Sequence, residues 1–199
     1  MSYRVKEMVY TLQGEGANTG VAVVLCRFEG CNLDCSFCDT DFTGVNGPSG
    51  GEYLSSASLA EAACQCWQGD VPSRRILCTG GEPLLQLDSE LVKTLHERGF
   101  EILLETNGTL TAPDGIDWIC VSPKAGEYPA IRQGNELKLT YPQNGIDPEK
   151  YLSLDFRHFF LQPISGANLE NNVRLAIEYC LEHPRWRLSL QMHKYTGIP

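Results

Sequence analysis

No run of Lys and Arg interrupts the 199-residue chain, and its formal charge is −9. A nucleic-acid surface needs concentrated positive charge to displace counterions from phosphates, so direct binding of DNA or RNA is disfavoured. Long apolar stretches are also missing. The longest, Val21 to Cys26, is far too short to cross a bilayer, and the opening residues Ser2 to Glu7 carry no leader-like apolar segment. The expectation is a cytoplasmic protein without membrane contact. Internal repeats, low-complexity tracts and linkers are absent too, and the length suits one domain over residues 1–199.

Cysteine, in contrast, is plentiful. Nine thiols without an export signal argue against a disulfide framework and for metal binding by some of them. Cys31, Cys35 and Cys38 fall within eight residues, directly after the apolar run from Val21 to Phe28, which reads as a buried strand ending at Gly30. Three thiolates on one loop can hold three corners of an iron–sulfur cube and leave the fourth iron open. Zinc is the rival, but it usually takes four ligands in paired short spacings; His158 and His193 are the distant candidates for a fourth. Cys26, Cys64, Cys66, Cys78, Cys120 and Cys180 lie in strand or helix patterns and are assigned to packing.

After a glycine-rich loop over 43–51 the chain alternates. The pattern predicts helices at about 58–68, 86–98 and 168–182, and strands at 74–78, 100–105, 117–121, 136–140, 156–161 and 187–190. Such alternation indicates an α/β fold with mostly parallel strands. A full eight-fold barrel takes about 250 residues, so an incomplete (β/α) barrel is expected. Five polar sets sit at predicted strand ends: Arg27 with the cysteine loop, Thr79 to Pro83, Glu105 to Asn107, Ser122 to Lys124, and Gln162 to Ser165. Carboxyl ends of parallel strands form the ligand face, so the five should converge.

The C-x3-C-x-aromatic-C loop together with Gly80-Gly81-Glu82-Pro83 resembles the radical S-adenosylmethionine superfamily. That resemblance implies a [4Fe–4S] cluster on Cys31, Cys35 and Cys38. It also implies S-adenosylmethionine bound by Phe37, Cys38, Asp39, Gly81, Ser122, Pro123, Lys124, Gln162, Pro163, Ile164 and Ser165. Leu12-Gln13-Gly14-Glu15-Gly16, Arg27 and a closing Gly197-Ile198-Pro199 further resemble the 7-carboxy-7-deazaguanine synthase family over nearly the whole chain. The family reaction is a Mg²⁺-dependent radical ring contraction of 6-carboxy-5,6,7,8-tetrahydropterin with loss of ammonia, on the way to queuosine and other deazapurines.

By that resemblance Leu12, Gln13, Gly14, Arg27, Thr79 and Pro199 bind the pterin, with the N- and C-terminal segments both contributing to the pocket. Arg27 is the carboxylate clamp, since its planar fork suits bidentate pairing; the plainer reading is an ion pair with a nearby acid. Pro199 is expected to bring a terminal carboxylate to the pterin. Thr40 is assigned to Mg²⁺, although a helix-capping role for the same residue stays open. Glu15, Glu105 and His193 are secondary candidates for the pterin. A homodimer and a flavodoxin- or ferredoxin-type electron donor are expected partners. A glycyl-radical-enzyme activase and a noncatalytic iron–sulfur or zinc protein are the competing functions.

Overall fold

The computed structural model describes residues 2–70, 73–124 and 128–199. Nine strands hydrogen-bond into one open sheet: β1 (Tyr3–Leu12), β2 (Ala22–Phe28), β3 (Gly51–Tyr53), β4 (Arg74–Gly80), β5 (Phe100–Thr106), β6 (Trp118–Val121), β7 (Gln133–Tyr141), β8 (Asp155–Pro163) and β9 (Trp186–Leu188). Their order is β3-β1-β2-β4-β5-β6-β7-β8-β9. From β2 to β9 every neighbouring pair is parallel, while at the other edge β1 runs antiparallel to both of its neighbours, β2 and β3. The expected incomplete barrel is therefore present. Helices α1 (Ser56–Cys66), α2 (Ser89–Glu97) and α3 (Leu169–Glu182) follow β3, β4 and β8, and a short α4 (His193–Thr196) closes the chain.

Strand periodicity divides the sheet into two faces. Val24, Cys26, Phe28, Ile76, Cys78, Ile102 and Leu104 point to one side, where they form a core with Leu59, Ala63, Leu91 and Leu95 of α1 and α2. Leu137, Leu139, Phe159, Leu161 and Trp186 continue that side against Ala176 of α3. The other face changes character along each strand. Val23, Leu77 and Leu103 make a small apolar cluster towards the strand beginnings. Further along the same face come Arg27, four residues after Val23, and Thr79 and Glu105, two residues after Leu77 and Leu103; all three line a cavity.

Several predicted boundaries move. The 58–68 helix starts earlier, at Ser56, because Ser55 caps it: the Ser55 hydroxyl accepts from the Ser58 N–H and the Ser58 hydroxyl accepts in return. The 86–98 helix is a 3-10 turn, Pro83–Leu85, followed by α2, whose first turn is capped by Asp88. Strands predicted at 136–140 and 156–161 extend to Gln133–Tyr141 and Asp155–Pro163.

β1, β3 and α4 are elements the alternation did not reveal. β1 hides for a physical reason. Its core positions are Tyr3 and Val5, then Met8, so the period of two breaks. The register shifts between Val5 and Glu7 opposite Phe28 and Arg27, which makes Lys6 the extra residue of a β-bulge.

Candidate active site

A cavity of about 540 Å³ opens at the carboxyl ends of the parallel strands, and all five polar sets contribute lining residues. Cys31, Cys35 and Cys38 border it together with Phe37, Asp39 and Thr40; Gly81, Ser122, Lys124, Gln162, Pro163, Ile164 and Ser165 line it from the strand ends. Leu12, Gln13, Gly14, Arg27, Thr79 and Pro199 complete the wall, as do Glu15, Glu105 and His193. Of the predicted ligand contacts only Pro123, a buried residue, is not among the lining residues.

The cysteine loop is held by its surroundings. Glu82 N–H donates to the Gly30 carbonyl at 2.9 Å, and the Asn32 side chain bridges Thr109 and Asn107 at 2.8 and 2.9 Å. Lys6, the bulge residue, sends its ammonium to Asp41, the Thr43 carbonyl and Asn46 at 2.8–2.9 Å, which fixes the chain just after the cysteines. Gly81 lies so close that a Cβ there would sit 2.0 Å from the Gly30 carbonyl oxygen and 2.8 Å from the Cys31 Cβ. The Gly81 position thus serves the cysteine loop's backbone directly, in addition to lining the cavity.

Glu82 explains the acidic member of the same motif. Its buried carboxylate accepts from the Thr106 hydroxyl at 2.7 Å, the Asn107 N–H at 2.8 Å and the Leu84 N–H at 3.0 Å, tying the turn after β4 to the end of β5. Burial pushes its carboxyl above the usual range, against those three hydrogen bonds.

The three cysteines fit an iron–sulfur cluster as a donor set: all are free thiols on one loop, all border the cavity, and no fourth cysteine lines it. Among the described residues no three His, Cys, Asp or Glu side chains converge to hold a single metal ion. Of the packing cysteines, Cys26 and Cys78 sit in the main core with Cys64 and Cys66 against it. Cys120 differs. It turns to the cavity side, where its thiol donates to Glu136 at 3.4 Å, and burial raises its pKa well above the ordinary value.

Arg27 meets the plainer expectation as well as reaching the cavity. Its Nε pairs with Glu7 Oε1 at 2.7 Å, the two residues facing each other across β1 and β2. Each residue of the Gln13-Gly14-Glu15-Gly16 segment is held by a neighbour. The Gln13 amide donates to Glu105 at 3.0 Å, the Gly14 carbonyl accepts from Met192 N–H at 2.9 Å, and Glu15 pairs with Lys138 at 2.5 Å. Gly16 has φ +64°, and a Cβ there would come within 2.0 Å of the Glu136 carboxylate. The Pro199 carbonyl accepts from the Thr11 hydroxyl at 3.0 Å.

Lys138 is the site residue that the sequence reading missed. Only 4% exposed, it reaches Glu105 at 2.9 Å as well as Glu15. Breaking such a buried pair typically costs about 3–5 kcal/mol, because a charge is left uncompensated. Its signal was available in Glu136-Leu137-Lys138-Leu139-Thr140, where polar residues at every second position of a buried strand mark one face. Farther out, Asp39 accepts from Lys194 and from Gln191 at 3.1 Å; burial raises its carboxyl, but these partners bring it below the usual value.

Known proteins match this arrangement. Residues 25–129 match the Radical SAM superfamily. The 7-carboxy-7-deazaguanine synthases of Caulobacter vibrioides and Bradyrhizobium diazoefficiens are 51% and 53% identical to the chain, each aligned over all of both sequences. The crystal structure of QueE from Escherichia coli superposes with a TM-score of 0.74 at 30% identity, covering 97% of this chain and 95% of that one. The chain belongs to the radical SAM superfamily and, within it, to the 7-carboxy-7-deazaguanine synthase family.

Proposed function

We propose that this enzyme converts 6-carboxy-5,6,7,8-tetrahydropterin to 7-carboxy-7-deazaguanine with loss of ammonia, in queuosine or related deazapurine biosynthesis. The carrying observation is one cavity that joins a three-thiol loop at its border to Arg27 on one wall and carboxylates on its floor. Membership of the superfamily brings a [4Fe–4S] cluster and S-adenosylmethionine. Cys31, Cys35 and Cys38 would hold the cluster, which would supply the reducing electron for radical chemistry with S-adenosylmethionine.

The protein's own work is placement. Phe37, Cys38, Asp39, Gly81, Ser122 to Lys124 and Gln162 to Ser165 hold the S-adenosylmethionine. Arg27 takes the substrate carboxylate, while Leu12, Gln13, Gly14, Thr79 and Pro199 orient the pterin. Thr40 offers Mg²⁺ a hard oxygen, with substrate and water supplying other ligands. The whole chain acts as one domain, and the family resemblance supports a cytoplasmic homodimer reduced by a flavodoxin or ferredoxin. No described helix is long and apolar enough to cross a membrane.

Anaerobic assays of the reconstituted enzyme with reductant, S-adenosylmethionine and the carboxytetrahydropterin should yield the deazaguanine and ammonia, at a rate that drops when Mg²⁺ is chelated. An absence of deazaguanine would defeat the reading; Mg²⁺-independent turnover would defeat the Thr40 assignment alone. Pro199 offers a second test. Because it lines the cavity beside Thr11, a short peptide appended after it has to compete for substrate space. The extension is expected to raise KM for the pterin while iron content stays unchanged, and unaltered kinetics would remove Pro199 from the substrate site.

A further inference from the structure

Lys138 has no part in the assignments above, yet it is the buried cation of the cavity floor. Its ammonium bridges two carboxylates from separate parts of the chain: Glu15, in the turn between β1 and β2, and Glu105, on β5. The register sets Glu105, Cys120 and Glu136 side by side on β5, β6 and β7. Cys120 is the small side chain of that row, over which Lys138 spans from β7 to β5. Resting on the pterin reading, we propose that Lys138 is a positioning residue. By bridging Glu15 and Glu105 it keeps both as ionised acceptors for the N–H-rich edge of the substrate's pyrimidine ring.

Two like-charged carboxylates brought to one point favour uptake of a shared proton, which the cation opposes; a carboxyl that takes the proton turns from acceptor to donor. With Lys138 present the trio carries one net negative charge. A 2-amino-4-oxopyrimidine presents an exocyclic amino group and a ring N–H side by side, and a carboxylate can accept from both at once. Arg27, on β2 and so two strands away from Glu105 on β5, suits the substrate's own carboxylate.

The other groups facing this trio do not replace the cation. The Glu136 carboxyl accepts from the Ala17 N–H at 3.0 Å, and burial raises its pKa. Burial likewise keeps the Cys120 thiol protonated. Asp39, which also faces Glu15, is paired with Lys194, and Lys124 is turned to the Ser122 carbonyl and hydroxyl at 2.6 and 2.8 Å. Burial alone would push the Glu15 carboxyl up and the Lys138 ammonium down. Their mutual attraction, with Glu105 acting on Lys138, reverses both.

The test compares kcat and KM for the pterin, from about pH 5 to pH 8, in the reconstituted wild type, Lys138→Gln and Glu15→Gln/Lys138→Gln. Lys138→Gln should raise KM about 10- to 100-fold at neutral pH, with a smaller change in kcat. Without the cation the carboxylates bind a proton more tightly, so the acid limb of kcat/KM should move up by about one pH unit or more and the defect should shrink as pH rises. The double variant leaves one carboxylate with no like-charged neighbour; its KM and acid limb should return towards the wild type.

Wild-type behaviour of Lys138→Gln, or a double variant no better than the single one, overturns the proposal. A wild type that produces no deazaguanine instead defeats the underlying functional reading. Should Lys138→Gln fail to retain iron, the wild type decides with an analogue bearing oxygen in place of the exocyclic amino group. A KM at least about 10-fold higher than for the pterin supports the acceptor floor, and an equal KM overturns it.

Discussion

Gly81→Ala is expected to strip the enzyme of iron and to lower turnover by about 100-fold or more, as displacement of a reacting group by about 1 Å can do. The added methyl has nowhere to go. Its nearest neighbours are the Gly30 carbonyl oxygen and carbon at 2.0 and 2.5 Å, backbone atoms that cannot rotate aside as a side chain could. Relief requires the turn after β4 and the cysteine loop to separate, which also breaks the Glu82 N–H to Gly30 hydrogen bond. Iron and sulfide per chain, with the visible absorbance of the cluster, are the measurements. A variant that keeps full iron and wild-type turnover would show that the loop tolerates the shift.

Arg27→Gln is expected to raise KM for the pterin by about 10- to 100-fold, since a hydrogen bond to a charged group contributes roughly 1.5–3 kcal/mol. Cluster content should be unaffected, because Arg27 contacts Glu7 rather than the cysteine loop. The discriminating measurement is a cycle with a substrate amide lacking the carboxylate charge. Wild type should lose affinity for the amide, whereas Arg27→Gln should bind acid and amide nearly alike. Equal discrimination by both enzymes would leave Arg27 with only its ion pair to Glu7.

The cysteine loop and the polar strand ends were legible in the sequence because their chemistry is local. Three thiols, a Gly-Gly-Glu-Pro turn and polar residues closing apolar strands can each be seen within a few positions. Lys138 was not legible in that way. Its meaning depends on which face of β7 it takes and on Glu15 and Glu105 arriving from distant segments, so only the strand register assembles the trio. His193 was named among the pterin candidates, but its place beside Gly14 depends on α4 returning to the cavity after β9. The caps shifted helix boundaries for a smaller reason, as Ser55 and Asp88 compete with the apolar pattern to define where a helix begins.

The bulge in β1 makes one edge strand answer to two frames. Ahead of it, odd-numbered residues build the core; beyond it, even-numbered ones do, and Lys6 and Glu7 come to line the cavity as consecutive residues. A single-residue deletion between Val5 and Met8 would erase that offset. The strand could then keep its apolar side buried on only one half of its length, and the choice falls between core packing and the anchors of Arg27 and the cysteine loop. Loss or gain of one residue should therefore be tolerated far less here than in the glycine-rich loop over 43–51.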